Sequence, residues 1–397
     1  MSSPACRVPH CGGALQTLLE TGEHPVSNGY IREGGNALRK PLTLARCPAC
    51  GLLQLPDTFS EAELAAAVPT WVRYNEPEAH LDEVATLLAD LMQGDTSRSI
   101  AGLTYIDQSL QDRLKKAGWE SQSGLDVFNG ADVAERCSIE QMLAGVQSGH
   151  WGKEGQKVDL LLARHVFDHT RDTAAFLQFI RSSLSSRGLV VFEVPSSIAD
   201  IEACNPLMLW ESHANYFTPA TFLRTLEAGG LKIELHRQFT PGGPPILVVV
   251  CSVGQADVSI AGKAEDVSEA ALKAYVAHFA PNREALRVKL AALRAKHPVI
   301  AMLGAGHIGN LFLNLHDLGR FLDCAADDDG RKSGLLLPGS QLPIRSGATL
   351  AGVEGLLLLM AVNPAVEERA IERWRQQNPS AVFSSIFPQS SRSVLKL

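Results

Sequence analysis

Between Val158 and Phe217 the chain runs twice through a nearly unbroken apolar stretch and ends each one on ionisable side chains. Val158–Ala163 reads VDLLLA and Leu189–Val194 reads LVVFEV, with a helix-length segment between them. Strands buried on both faces read as continuous apolar runs, and such strands belong to parallel sheets covered by helices. In these sheets ligands sit beyond the carboxyl ends of the strands. The first run ends in Arg164, His165, Asp168 and His169, and the second in Glu193-Val194-Pro195. Trp210, Glu211, His213 and Tyr216 follow within the same stretch. A single histidine at a strand end is ordinarily a satisfied structural group. Several histidines and acids at one sheet edge predict the rim of a functional pocket.

The same alternation extends to both sides. Ser99–Leu103 reads as the first strand of this sheet, and Leu125-Asp126-Val127 as the edge of a second one. Asp126 stands where an acid binds ribose hydroxyls in nucleotide-binding α/β folds. A turn at Gly242-Gly243-Pro244-Pro245 leads into a late strand, Ile246–Val253. SEAELAAAV and Leu81–Met92 read as helices, and between them Tyr74, Glu76, Glu78 and His80 form a dense acid–base cluster. Tyr74 and His80 are therefore candidate site groups.

After a charged helical connector, Val299–Leu303 opens another strand and leads into Gly304-Ala-Gly306-His307-Ile-Gly309. Asp327, Asp328 and Asp329 come about twenty residues later. Taken alone this is a dinucleotide fingerprint, with backbone N–H groups at a helix N-terminus facing a phosphate. A nicotinamide-dependent enzyme is one reading of it, although the segment is about half the length of the two-part dinucleotide fold.

Four cysteines precede all of this in two pairs, Cys6 with Cys11 and Cys47 with Cys50. Each pair is followed by glycine, as in two knuckles that close a tetrahedral zinc site, with His10 an alternative to Cys11. Such a closed site is structural. The polar segment TGEHPVSNGYIREGG between the knuckles reads as a loop that reaches toward a neighbouring pocket.

At 397 residues the chain has room for two or three domains, and its 45% hydrophobic content is that of a globular protein. A net charge of −7 without a basic run argues against a nucleic-acid partner. Neither a signal peptide nor a membrane span is expected, which points to the cytoplasm and to reduced thiols.

Taken together, these segments resemble the sugar C-methyltransferase family, which acts on nucleotide-linked deoxysugars. The resemblance is carried by Cys47-Pro-Ala-Cys50-Gly, His165-Val-Phe-Asp-His169, Glu193-Val-Pro and His213-Ala-Asn-Tyr216-Phe217. In the last domain it covers Gly304–Gly309 and Leu337-Pro-Gly-Ser-Gln-Leu-Pro-Ile344. It implies an α/β protein in four parts: a zinc ribbon (1–56), a class I methyltransferase-like Rossmann sheet (57–255), a helical connector (256–297) and a second Rossmann-like domain (298–397). It also implies structural zinc on Cys6, Cys11, Cys47 and Cys50. S-adenosylmethionine (SAM) is implied near Gly102, Asp126, Arg164 and His165, and a nucleotide-sugar near Gly304, Gly306, His307, Gly309 and Asp327. His213 is implied as the base that removes a proton next to a carbonyl, with Glu211 orienting it and Tyr74 and His80 stabilising the enolate.

Two positions differ from the family. Its Gly-rich SAM loop stands here as Ile100-Ala-Gly102-Leu-Thr-Tyr-Ile-Asp107, with one glycine, which makes close backbone approach to a cofactor harder. Its Tyr-His-Glu-His stands here as Trp210-Glu211-Ser212-His213. The alternatives are a SAM-fold enzyme with a metal-assisted, non-methylating reaction, for which Glu76, His80, His165, His169, Glu211 and His213 have the identities of a 2-His-carboxylate type of site, and a binding protein for a nucleotide-like ligand.

Overall fold

The computed structural model describes residues 5–119, 138–148, 157–241, 245–255 and 259–397. The expected strand edge at Leu125-Asp126-Val127 and the Gly242-Gly243-Pro244 turn lie outside them. Three sheets organise the described chain.

The N-terminal sheet starts with the antiparallel pair β1 (Gln16–Pro25) and β2 (Arg39–Arg46), joined by β3 (Leu53–Gln54). The inter-knuckle segment therefore begins as strand, and its loop starts only after Pro25. Helix α1 (Glu61–Ala67) starts at Ser60, whose hydroxyl accepts from the Glu63 N–H while the Glu63 carboxylate accepts from the Ser60 N–H. Helix α2 (Leu81–Leu91) buries Leu81, Val84, Ala85 and Leu88, one stripe of a 3.6-residue period.

The central domain contains β4 (Ile100–Gly102), α3 (Gln108–Lys116), α4 (Ile139–Gln147), β5 (Val158–Arg164), α5 (Thr173–Ser183), β6 (Leu184–Pro195) and α6 (Ile198–Glu202). It continues with β7 (Asn215–Tyr216), α7 (Pro219–Ala228), β8 (Leu231–Phe239) and β9 (Ile246–Val253). The sheet order is β4-β5-β6-β9-β8; the first three strands are parallel, and β9 is antiparallel to both β6 and β8. Strand β8 has no apolar run, because it lies at the sheet edge and alternates buried and exposed residues. The short β7 joins the N-terminal sheet instead, pairing Leu53 with Tyr216 and Gln54 with Asn215.

The charged connector is mostly one 26-residue helix, α8 (Glu269–Arg294), which buries Leu272, Tyr275, Phe279, Leu286, Leu290 and Leu293. The last domain comprises β10 (Val299–Leu303), α9 (His307–His316), β11 (Cys324–Asp327), β12 (Ile344–Ser346), β13 (Leu356–Met360), α10 (Glu367–Gln377) and β14 (Val382–Ser385). Its all-parallel order, β12-β11-β10-β13-β14, reverses direction at β10, the strand that leads into the glycine motif. One apolar core runs from Leu42, Leu44 and Leu53 through Trp210 and Tyr216 to Leu290, Ile300 and Leu357. The N-terminal ribbon, the end of the central domain and the last sheet are thus packed as one body around the segment that carries His213.

Candidate active site

Two polar clusters form at the ends of β5 and β6. In the first, Arg164 is fully buried and makes a two-pronged ion pair with Glu193, Nε to Oε2 at 2.8 Å and Nη2 to Oε1 at 3.1 Å. Its Nη1 donates to the Ile106 carbonyl at 2.6 Å. His165 Nε2 lies 2.9 Å from Glu193 Oε1, and His80 Nε2 lies 3.2 Å from Oε2. Burial works against the Glu193 charge, but Arg164 and the two imidazoles outweigh it and hold its pKa well below the ordinary range. Burial likewise opposes the His165 charge, yet Glu76 and Glu193 raise its pKa to about 9.

The loop after β4 is closed in the same way. Asp107 Oδ2 accepts from the N–H groups of Leu103 and Thr104, and Oδ1 accepts from the Arg164 N–H. A Gly-rich loop would turn such donors toward a cofactor, whereas here a carboxylate of the chain takes them. Among the described residues of this edge, the backbone donors after β4 are thus taken up within the chain. Gly102 is a buried strand end, Arg164 and His165 are held by Glu193, and Asp126 lies outside the described residues. His80, expected beside His213, belongs to this first cluster, packed on Phe239 and paired with Glu193.

The second cluster is built where four distant segments meet. Asp168 and His169 occupy the turn just past β5, and His213 precedes β7. His213 Nε2 lies 3.3 Å from Asp168 Oδ2, and the His169 and His213 rings meet edge to face with centroids 4.7 Å apart. The register of this turn is set by backbone bonds, Ala214 N–H to the Asp168 carbonyl at 2.8 Å and His213 N–H to the Trp210 carbonyl at 2.9 Å. Arg7, between the first two cysteines, donates to the carbonyls of Ala214 and Leu55 at 2.8 and 2.7 Å. The ribbon thus holds His213 from below through Arg7 and the β3–β7 pairing.

Glu211 does not face His213. Its carboxylate accepts from Ser27 N–H at 2.5 Å, Ser27 Oγ at 2.9 Å and Trp210 Nε1 at 3.1 Å, and burial raises its pKa to about 7. The carboxyl beside His213 is that of Asp168. The loop after Pro25 packs against this cluster. Asn28 donates to Tyr74 Oη at 3.3 Å, and Tyr30 donates to the Ala305 carbonyl at 2.7 Å. Tyr74 donates to Glu140 at 3.0 Å and stands edge-on to Trp210 and His307. Burial and the neighbouring Glu140 hold its pKa well above the phenol range.

His307, from the glycine motif, stacks on Trp210 with centroids 4.1 Å apart, so the last domain contributes a side chain to this cluster. The rest of that motif is closed on itself. Asp327 accepts from the N–H groups of Ala305 and Asp329 and pairs with Lys332 at 2.8 Å. Gly304 adopts φ +99°, and a Cβ on Gly309 would come 2.8 Å from the Gly304 carbonyl, so both glycines serve the tight strand–turn–helix passage. Gly306 begins α9 as its N-cap, facing open space.

Burial sets the protonation of the second cluster. It lowers the His213 pKa to about 3, assisted by the positive fields of His307, His165 and Arg171, and lowers His169 well below its usual value. Burial raises Asp168 to about 7. Near neutral pH both imidazoles are unprotonated bases. Of the groups in this cluster, Asp168 and Trp210 carry no individual role expected from the sequence, and His169 only that of a ligand in the metal-assisted alternative, although Asp168 and His169 lie in the polar run after β5. Their spacing from His213 is decided by the fold.

The four cysteine sulfurs lie within 4.8 Å of one another, with Cys6–Cys50 at 3.4 Å and Cys11–Cys47 at 3.6 Å. Four thiolates about 2.3 Å from a tetrahedral zinc stand about 3.8 Å apart, so the donor set fits that ion. Cys11 joins the cluster while His10 is exposed. A Cβ on Gly13 would approach Cys47 Sγ to 2.6 Å, so the first knuckle closes only with glycine there.

Two family models match the chain. Residues 104–236 match a methyltransferase domain, and residues 258–368 match the C-methyltransferase C-terminal domain. No curated protein matches. Among solved structures, the chain is similar to the 1,6-didemethyltoxoflavin-N1-methyltransferase of Burkholderia thailandensis, at 13% identity over 45% of this chain and 80% of that one, with a TM-score of 0.31. It is also similar to the magnesium protoporphyrin IX methyltransferase of Synechocystis, at 14% identity over 45% and 83%, with a TM-score of 0.30.

Proposed function

Because the chain belongs to the SAM-dependent C-methyltransferase family, we propose that it methylates a carbon next to a carbonyl of a nucleotide-linked sugar or related biosynthetic intermediate, with His213 as the base. The observation that carries this reading is the His213 imidazole, 18% exposed and backed at 3.3 Å by the buried Asp168. A general base has to be unprotonated, reachable and steadied as it takes the proton. Burial keeps the ring neutral, and its exposed edge gives access.

Nε2 is the nitrogen 3.3 Å from Asp168, which leaves Nδ1 to take the substrate proton while the carboxylate steadies the imidazolium by its charge. The electron pair of the broken C–H bond moves onto the carbonyl oxygen. Tyr74 shares its proton between Glu140 and that oxygen, and the Trp210–His307 stack closes the pocket against water. When bound, SAM supplies the electrophilic methyl group. Zinc on Cys6, Cys11, Cys47 and Cys50 acts structurally, holding Arg7 and β3 against the His213 segment.

The test uses SAM with a labelled methyl group and a panel of nucleotide-linked keto-deoxysugars. Label transfer should fall by about 10²–10⁴-fold in His213→Ala protein of unchanged circular dichroism. Transfer at an unchanged rate removes His213 as the base. Calorimetric titration of the folded, zinc-replete chain with SAM and S-adenosylhomocysteine tests the class, and binding of neither overturns it.

A further inference from the structure

We infer that Asp168, His169 and His213 form a second metal site, distinct from the cysteine cluster and suited to a borderline divalent transition ion such as zinc, cobalt or nickel. One ligand atom from each residue falls within a 4.8 Å group. Asp168 Oδ2 is 3.3 Å from His213 Nε2 and 4.0 Å from His169 Nε2. Metal bonds of about 2.0–2.2 Å to nitrogen and oxygen place neighbouring ligand atoms roughly 3 Å apart. The first spacing is already close to that, and the second closes by about 1 Å of side-chain rotation.

An independent observation is that these groups lack partners. Asp168 and His169 are each 2% exposed, yet neither carboxylate oxygen of Asp168 nor Nδ1 of His169 has a well-formed hydrogen bond. The backbone N–H groups of Asp168 and His169 favour the charged carboxylate without closing a well-formed hydrogen bond to it. Buried polar atoms are normally satisfied, and an unpaired carboxylate is costly to bury. Arg171, the permanent cation whose field reaches both imidazoles, is turned to the carbonyls of His169 and Glu211, and the Glu61 carboxylate offsets its charge. Two neutral imidazoles and one carboxylate are a donor set for borderline ions, and three protein ligands leave positions open for substrate oxygens.

Such an ion would not assist the proton transfer. A metal on His213 Nε2 confines the single ring proton to Nδ1, the nitrogen that would otherwise accept from the substrate. The loaded cluster therefore holds His213 out of base chemistry, so a divalent ion acts as a reversible brake. The site itself does not depend on the methyl-transfer reading.

The test is cobalt loading of the full chain, read by metal content and visible absorption. Two equivalents are expected, one with intense thiolate-to-cobalt charge transfer and one with only the weaker ligand-field bands of nitrogen and oxygen donors. His169→Ala and Asp168→Asn should each lose the second equivalent and keep the thiolate band, with circular dichroism reporting the fold. Asp168→Asn, nearly isosteric, decides the matter if the alanine variant does not fold. A single equivalent in the unmodified chain, or a second one that survives these substitutions, overturns the site.

Discussion

Glu193→Gln removes one negative charge from the most buried ionic cluster of the protein and changes little else in shape. In the folded chain Glu193 receives both prongs of Arg164 and faces His165 and His80. The substitution leaves the Arg164 guanidinium, which is fully buried, without an ion-pair partner in contact and with only the more distant fields of Asp107 and Glu78. Breaking a buried pair by removing one partner costs roughly 3–5 kcal/mol, because the remaining charge stays uncompensated. For a unit of about 150–250 residues, each kcal/mol lowers the midpoint by roughly 2–4 °C, so a drop of at least about 6 °C is expected at pH 7.

The pH dependence gives a second handle on the same cluster. His165 has its folded pKa raised from 6.5 to about 9, so it contributes stability that is full below pH 6.5 and is lost as pH rises through 9. A shift of that size is worth roughly 3 kcal/mol. Glu193 has the opposite sign: its folded pKa is depressed, so its contribution is present above the ordinary carboxylate range and lost on acidification. Differential scanning calorimetry from about pH 6 to 10 should show the wild type losing stability across this window. The variant should lose less, since Glu76 is then the carboxylate left in ion-pair range of His165. A midpoint within about 2 °C of wild type at pH 7, with an unchanged slope to pH 10, would falsify the account of this cluster.

Three other perturbations draw on the same geometry. Methyl transfer should rise with pH through about 7, as Asp168 loses its proton and becomes able to steady the His213 imidazolium; Asp168→Asn should flatten that limb of the pH–rate profile and lower the rate by at least about tenfold. Removing metal from the cysteine cluster with a strong chelator should unfold the ribbon and lose methyl transfer together, and zinc should restore both; full activity in metal-free protein would refute the link through β3 and β7. Arg7→Ala strips two buried carbonyls, those of Ala214 and Leu55, of charged donors and should destabilise the chain by roughly 3 kcal/mol, lowering methyl transfer even where the protein remains folded.

Whatever depends on local pattern can be read from the amino-acid order. The apolar runs at Val158, Leu189, Ile246 and Val299 are strands in the structure, because a strand buried on both faces has to be apolar throughout. The stretch SEAELAAAV announces α1, and the glycine and cysteine spacings announce a strand–turn–helix passage and a four-sulfur cluster. Strand β8 escapes such reading because it is an edge strand with alternating polarity, and β7 because two residues carry no period.

The composition of the site was a matter for tertiary structure. Glu211, two residues from His213, turns away to Ser27, while Asp168, far off in sequence, supplies the carboxyl beside the imidazole. His80 and Tyr74, six residues apart, part to different clusters, one to Glu193 and the other to Trp210. His307 crosses from the last domain to stack on Trp210. Sequence by itself determined which strands carry ionisable ends, since burial selects residues locally along each strand. It could not determine which of those groups meet, because close approach of two side chains depends on crossings between segments whose contacts are not local in the chain.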